Sequence, residues 1–80
     1  MTLYDIPTPL RNHFEQTPDV LNGKLRVAGT RVSVEQVLEL LEAGVTPAEI
    51  IQSLPSLTEH DVAAVGQLAV HFTLAAIQAA

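Results

Sequence analysis

The pattern of apolar and polar residues divides the chain into an irregular beginning, a short alternating stretch and three helical stretches. Residues 1–17 contain two of the five prolines and show no sustained period, which predicts an extended N-terminal arm. Residues 24–28 alternate, with Leu25 and Val27 on one side, which is typical of a strand with one buried face. The sequence therefore predicts an arm over residues 1–17 and one domain over residues 18–80.

A β-turn is indicated just before the alternating stretch. Asn22 and Gly23 are the dipeptide most typical of a two-residue hairpin turn, because both tolerate positive φ angles. We therefore predict a short N-terminal β-hairpin with its turn at these two residues. On the strand that follows, Lys24 and Arg26 lie on the polar face, and Arg31 comes just after the strand.

Three helical stretches follow, and each begins with a capping motif, in which two side chains satisfy free backbone donors. The capping pairs are Ser33 with Gln36, Thr46 with Glu49, and Thr58 with Asp61. The first helix ends at Gly44, a residue suited to a left-handed C-terminal cap, and the second ends before Pro55. This order predicts a mainly α fold: a homeodomain-like three-helix bundle with a helix-turn-helix, preceded by the short hairpin.

The third helix, from Glu59 toward Gln78, is apolar on most of its circumference. Its polar residues form one narrow stripe of His60, Gln67, His71 and Gln78 at roughly 100° per residue. One small bundle cannot cover such a helix on every side, so we predict a partner chain, with a homodimer as the leading assembly. The candidate dimer or partner contacts are Leu68, Phe72 and Ile77.

Length and composition restrict the class of protein further. A chain of 80 residues has interior enough for a single domain, and without cysteine it can form neither disulfides nor thiolate metal sites. We see no signal peptide and expect a cytoplasmic protein. The third helix contains Gly66, Gln67 and His71 and has no flanking Lys or Arg, so we expect no membrane association.

The charge is distributed unevenly along an acidic chain of net charge −5. All four basic residues lie in residues 1–31, whereas residues 32–80 hold six acids and no base. Lys24, Arg26 and Arg31 are therefore the candidate contacts with nucleic acid or a partner. We expect Arg31 to pair with a carboxylate or helix carbonyl of the protein's own body and Lys24 to be solvated. For Arg26 a partner role and a solvated role remain open.

The sequence offers little for catalysis. His60 and His71 are about 16 Å apart along a helix, which is too far to hold one metal ion. No serine has a plausible base, and no glycine-rich loop precedes a helix in the pattern that cradles phosphate. We therefore predict a protein without catalytic residues, metal or cofactor.

Five short motifs occur in the order found in a known family. They are Asn22-Gly23-Lys24, Gly29-Thr30-Arg31, Leu40-Leu41-Glu42-Ala43-Gly44, Glu49-Ile50-Ile51 and Leu54-Pro55-Ser56-Leu57-Thr58. With them, residues 18–62 resemble the small prokaryotic proteins catalogued as domain of unknown function 433. Leu25 and Ser33 depart from the pattern, since the family usually has proline there. The resemblance implies a homeodomain-like fold and the role of a VapB-like antitoxin that binds a PIN-domain-like ribonuclease toxin.

Three hypotheses about function follow. The first is a non-catalytic antitoxin-like protein of a type II toxin–antitoxin pair. The second is a homodimeric transcriptional regulator that binds DNA through the basic hairpin. It does not use the third helix for this, because Glu59 and Asp61 at the start of that helix would repel phosphates. The third is an orphan structural module with neither partner.

Overall fold

The computed structural model describes residues 2–79, which form three α-helices and a two-stranded antiparallel sheet. The helices are α1 (Val34–Glu42), α2 (Pro47–Ser53) and α3 (Glu59–Ala79). The strands are β1 (Phe14–Glu15) and β2 (Arg26–Val27), and short 3₁₀ turns cover Leu3–Asp5, Thr8–His13 and Leu21–Gly23. The prediction of a mainly helical fold with a small sheet before the helices is confirmed.

Local capping explains where the three helices begin. Before α3, the Thr58 backbone N–H donates to the Asp61 carboxylate at 2.9 Å, and the Asp61 N–H donates to the Thr58 hydroxyl at 3.2 Å. A similar reciprocal pair begins α2. Before α1, the Ser33 hydroxyl accepts from the Gln36 N–H at 3.0 Å, and Gly44 with φ +85° follows the helix. The predicted helix starts are confirmed.

The predicted two-residue turn at Asn22 and Gly23 is wrong. Residues 16–25 connect β1 to β2, and Leu21, Asn22 and Gly23 have φ angles of 51°, 55° and 79°. Asn22 and Gly23 do take the positive φ that these residue types tolerate, but Leu21 also has a positive φ. The three residues make a left-handed turn inside a wider connection instead of a tight hairpin turn.

The partner of β2 is therefore a strand that lies before the predicted hairpin. Phe14 is opposite Val27 and Glu15 is opposite Arg26. The side chain of Gln16 holds the wide connection together, because its amide N–H donates to the Gly23 carbonyl at 3.0 Å. A two-residue stretch this short is stable only because its side chains also pack against the helices.

The prediction of an extended arm over residues 1–17 is also wrong. Ile6 is 1% exposed and Phe14 is 3% exposed, and both belong to the core. Arg11 fixes the first turn by donating from Nε to the Ile6 carbonyl at 2.8 Å. Asp5 accepts from the backbone N–H and hydroxyl of Thr2, and these bonds lower the pKa of its carboxyl. The segment folds back because its two large apolar side chains complete the core.

The core lies between the N-terminal segment, the sheet and the three helices, and each helix contacts the other two. Its fully buried large side chains are Ile6, Val27, Val37, Ile50, Val65 and Leu68. From α3 only residues in its first half are buried, namely Val62, Ala64, Val65 and Leu68. The second half of α3 therefore extends beyond the core.

We expect Phe14→Ala to lower the free energy of unfolding by about 3–5 kcal/mol, because the change leaves a cavity under β1. Tyr4→Ala is the matched control, since Tyr4 is an aromatic residue of the same segment that is 83% exposed. Its cost should be below about 1 kcal/mol. Urea unfolding measures both values. Equal costs would show that the N-terminal segment does not pack as described.

Candidate interaction surfaces

Arg26 is not available as a contact with DNA or a partner, which corrects one predicted site residue. Its side chain is 10% exposed, and Nη2 lies 3.5 Å from the Glu15 carboxylate. Nη1 donates to the Thr17 hydroxyl at 3.1 Å. The reason lies in the strand pairing, which places Glu15 directly opposite Arg26 and so provides a cross-strand ion pair. The charge of Arg26 is used inside the protein.

Arg31 is exposed on a turn that the rest of the chain holds firmly. The Val27 N–H donates to the Val32 carbonyl at 2.9 Å. Inside this loop the Thr30 hydroxyl donates to the Val27 carbonyl at 2.9 Å and accepts from the Val32 N–H at 3.1 Å. The Gly29 N–H donates to the carboxylate of Glu15. A guanidinium on a fixed turn loses less conformational entropy on binding than one on a mobile loop.

The expectation that Arg31 pairs with a carboxylate or helix carbonyl of its own chain is wrong. Among residues 2–79 the three ion pairs involve His13, Lys24 and Arg26, and no side-chain hydrogen bond uses Arg31. Arg31 is exposed on the turn before α1, and Glu15, the carboxylate that binds this turn, pairs with Arg26. The five donors of Arg31 are therefore open to a partner.

Lys24 lies beside a shallow cavity of about 390 Å³. Its Nζ is 4.0 Å from the Glu35 carboxylate, and both side chains are more than half exposed. A pair of this kind contributes little to stability. Apolar and polar residues both line the cavity: Gln16, Asn22, Gly23, Lys24, Leu25, Val34, Glu35 and Leu38. With Lys24 paired to an acid, the cavity carries no net charge to select an anion.

The three predicted interface residues of α3 lie in different environments. Leu68 is 0% exposed and belongs to the core, so its assignment to an interface is wrong. Phe72 is half-buried and packs against the core, with its ring 5.2 Å from that of His71. Ile77 is 67% exposed. Leu68 lies about 180° around the helix from Ile77, because nine residues make two and a half turns.

The second half of α3 exposes large apolar side chains. Val70 is 66% exposed, Leu74 is 50% exposed and Ile77 is 67% exposed. They share one side of the helix, and with Ala69 and Thr73 they line a shallow apolar groove. An exposed, continuous apolar surface on a small protein is typical of a contact with another molecule.

The histidines do not form a metal site in the part of the chain that is described. His60 and His71 are both exposed on α3, and His13 Nδ1 lies 4.0 Å from an Asp61 oxygen. Within residues 2–79 no group of three or more metal-ligating side chains is close enough to hold an ion. The absence of a metal or cofactor in the protein stays a prediction.

One helix within residues 2–79, α3, has the length and apolar composition that a membrane span requires, with a mean hydropathy of 1.5. Length and composition are weak evidence, because a core helix of a folded domain meets the same criterion. In α3 only four residues, all in its first half, are buried in the core, and most of its apolar window is exposed. The predicted lack of membrane association stays a prediction.

Sequence reasoning missed several residues that shape these surfaces. Glu15 and Thr17 bind Arg26, and no local signal indicates this, because the contact depends on strand pairing. Val70 was not predicted to lie on a contact surface, although its spacing in the sequence indicated this. It lies seven residues from Ile77 and seven from Ala63, which is the spacing of one side of a helix that meets another helix.

These features define a class: small, mainly helical proteins with a two-stranded sheet. The profile of the family described as "Protein of unknown function (DUF433)" matches residues 15–69. That match covers more than half of the chain, so this protein belongs to the DUF433 family. The exposed second half of α3, from residue 70, lies outside the matched range.

A solved structure supports the fold. The chain is similar to the crystal structure of a DUF433 member protein from Anabaena variabilis, with a TM-score of 0.65 and 24% sequence identity. The similarity covers 81% of this chain and 75% of that one. No curated protein matches the chain significantly.

We expect Arg26→Ala and Arg31→Ala to differ in their effect on stability. Arg26→Ala removes the ion pair of a buried guanidinium with the partly exposed Glu15, a hydrogen bond and the packing of the alkyl chain, and should lower the free energy of unfolding by about 1–3 kcal/mol. Arg31→Ala, at an exposed position, should change it by less than about 0.5 kcal/mol. Thermal or urea unfolding of both variants tests this. The reverse order would contradict the described position of Arg26.

Proposed function

We propose that this protein is a non-catalytic antitoxin-like protein of a type II toxin–antitoxin pair, which binds a PIN-domain-like ribonuclease toxin. The exposed apolar side of α3 is the observation that carries this proposal. Covering each of Val70, Leu74 and Ile77 contributes roughly 1 kcal/mol or more to binding, because half or more of each side chain is exposed. Burying such a surface against another protein removes apolar area from water, and this contributes favourable free energy to binding.

The turn at Arg31 supports the choice of a ribonuclease as partner. Nucleases that use metal ions hold them with clusters of carboxylates, which attract a guanidinium strongly. Arg31 is exposed, and its turn is fixed by hydrogen bonds from Thr30 and to Glu15. An arginine held in this way can enter an acidic cleft with the N–H donors of its guanidinium free to bind carboxylates.

The helix arrangement is also part of the proposal. We propose that α2 and α3 form the helix-turn-helix of a homeodomain-like bundle, a view supported by the short connection at residues 54–58. DNA binding through the basic residues is weaker as an alternative, because Arg26 is occupied by Glu15. Two exposed bases, Lys24 and Arg31, remain on a chain of net charge −5.

The partner test uses the PIN-domain-like ribonuclease that the proposal expects to be encoded beside this chain. We expect the wild-type chain to restore growth to cells that produce the ribonuclease and to bind it in calorimetric titrations. Arg31→Glu should weaken binding at least about tenfold, because it places a carboxylate against carboxylates. Lys24→Glu changes the net charge equally and should weaken binding less than about threefold.

Two results would contradict these expectations in different ways. Equal losses for Arg31→Glu and Lys24→Glu would show that net charge, and not the Arg31 turn, governs binding. The absence of any complex with the wild-type chain, together with no recovery of growth, would contradict the proposed function and leave an orphan structural module as the remaining hypothesis.

We further propose that, in the absence of the toxin, the protein is a homodimer in which the same exposed side of α3 is covered by a second copy. Sedimentation velocity should give a mass twice that of the 8.6 kDa chain, and Ile77→Glu should shift it to a monomer. Ala75→Glu is the control, because Ala75 is exposed but lies roughly 160° around the helix from Ile77. A monomeric wild-type chain, or equal effects of both variants, would contradict the dimer.

A further inference from the structure

One side of α3 has a seven-residue repeat that the core does not use. Ala63, Val70 and Ile77 are spaced by seven residues, and Gly66 and Thr73 lie three residues after the first two. We call Gly66, Val70, Thr73 and Ile77 the outer seam. A spacing of three and four residues is that of the contact line between two packed helices. The buried residues Val65 and Leu68 lie roughly 140–160° around the helix from Val70, so the outer seam faces away from the core.

Gly66 is unexplained by the fold of a single chain. A glycine inside a helix is less favourable than alanine, and the φ angle of Gly66 is not positive. A Cβ atom built on Gly66 would meet no other atom within 4 Å, so the core does not require its small size. The space above it is an open recess lined by Ala63, Gly66, Gln67, Val70 and His71. A missing side chain at an open surface allows another molecule to approach the backbone closely.

We propose that a second copy of this chain fills the recess: two α3 helices pair antiparallel, with Ile77 of each copy packed against Gly66 of the other. This proposal rests on the homodimer proposed above and specifies its geometry. The most exposed large residue of the outer seam then meets the residue with no side chain. The same register places Val70 of each copy opposite Thr73 of the other, so all four residues of the outer seam find a partner across one two-fold axis.

The charges along α3 favour the antiparallel direction. Residues 62–79 contain no Asp, Glu, Lys or Arg, so the pairing buries no charged side chain. A parallel pair would place Glu59 next to its own copy. In the antiparallel pair the two Glu59 side chains are about 37 Å apart, well beyond the roughly 8 Å screening length. Each positive helix N-terminus also lies toward the negative C-terminus of the partner helix.

The small size of the contact limits how tightly the copies bind. The line from Gly66 to Ile77 is about 16 Å long and one helix wide. A contact of this size lies at or below the lower limit of roughly 1,200 Å² for stable interfaces. We therefore expect the dimer to exchange with the monomer at about micromolar concentrations.

Cysteine cross-linking tests the register directly, because the natural chain has no cysteine. Gly66→Cys and Ile77→Cys are prepared as separate full-length variants, mixed, and oxidised with copper phenanthroline. We expect at least about tenfold more disulfide dimer in the mixture than in either variant alone, since the Cβ atoms of a disulfide must lie about 4 Å apart. Ala75→Cys mixed with either variant is the negative control. Both substituted positions are open at the surface, and circular dichroism verifies that the variants are folded.

The other outcomes separate this inference from the function proposed above. Preferential cross-linking of Ile77→Cys with itself would place Ile77 at the two-fold axis and overturn the register while leaving the homodimer intact. A wild-type dimer in sedimentation without any cross-link through these positions would overturn the use of the outer seam. A monomer that binds vesicles of phosphatidylcholine would place lipid on the outer seam and overturn both dimer and register, whereas recovery of growth with the ribonuclease tests the antitoxin role independently.

Discussion

The first half of α3 is the element on which the rest of the structure depends, because the core of this short chain is built around it. Val65 and Leu68 are completely buried, and α1, α2 and the 3₁₀ turn before β1 pack against the same helix. A chain of 80 residues has too little interior to cover a helix of 21 residues along its whole length. The exposure of Val70 and Ile77 follows from that limit, so the core and the candidate interface are two parts of one helix.

The sheet joins the N-terminal segment to this core by a combination of apolar packing and charge. Phe14 and Val27 are opposite one another and buried, while Glu15 and Arg26 form the neighbouring pair. The desolvation of Arg26 is offset by the Glu15 carboxylate and the Thr17 hydroxyl. Glu15 also accepts from the Gly29 N–H, so one carboxylate fixes both the buried arginine and the turn that presents Arg31.

Features that depend on interactions between neighbouring residues were predictable from the sequence. Contacts between residues far apart in the sequence were not. The starts of α1, α2 and α3 were predictable, because Ser33, Thr46 and Thr58 cap helices with residues three positions away. The strand partner of Arg26 was not, since Glu15 comes from the stretch of residues 1–17 without a hydrophobic period. Leu68 was assigned to an interface because a helix that is apolar on nearly all sides does not reveal which side meets the core. Lys24 was expected to be solvated and is more than half exposed, whereas the expected pairing of Arg31 within its own chain was wrong, because Arg31 lies on an exposed turn.

The second half of α3 has little support from the core of its own chain. Beyond residue 69 the helix keeps only partial contact with the core, through Phe72, and it includes the β-branched residues Val70, Thr73 and Ile77, which are poor helix formers. A helical end with so little tertiary support is marginal in water. Packing against a second helix, as in the proposed homodimer, would supply the missing support, and any ligand that binds only the helical form increases its population. Helix formation at this end of α3 is therefore linked to association, so a change in helix content reports on association, and a change in association reports on helix content.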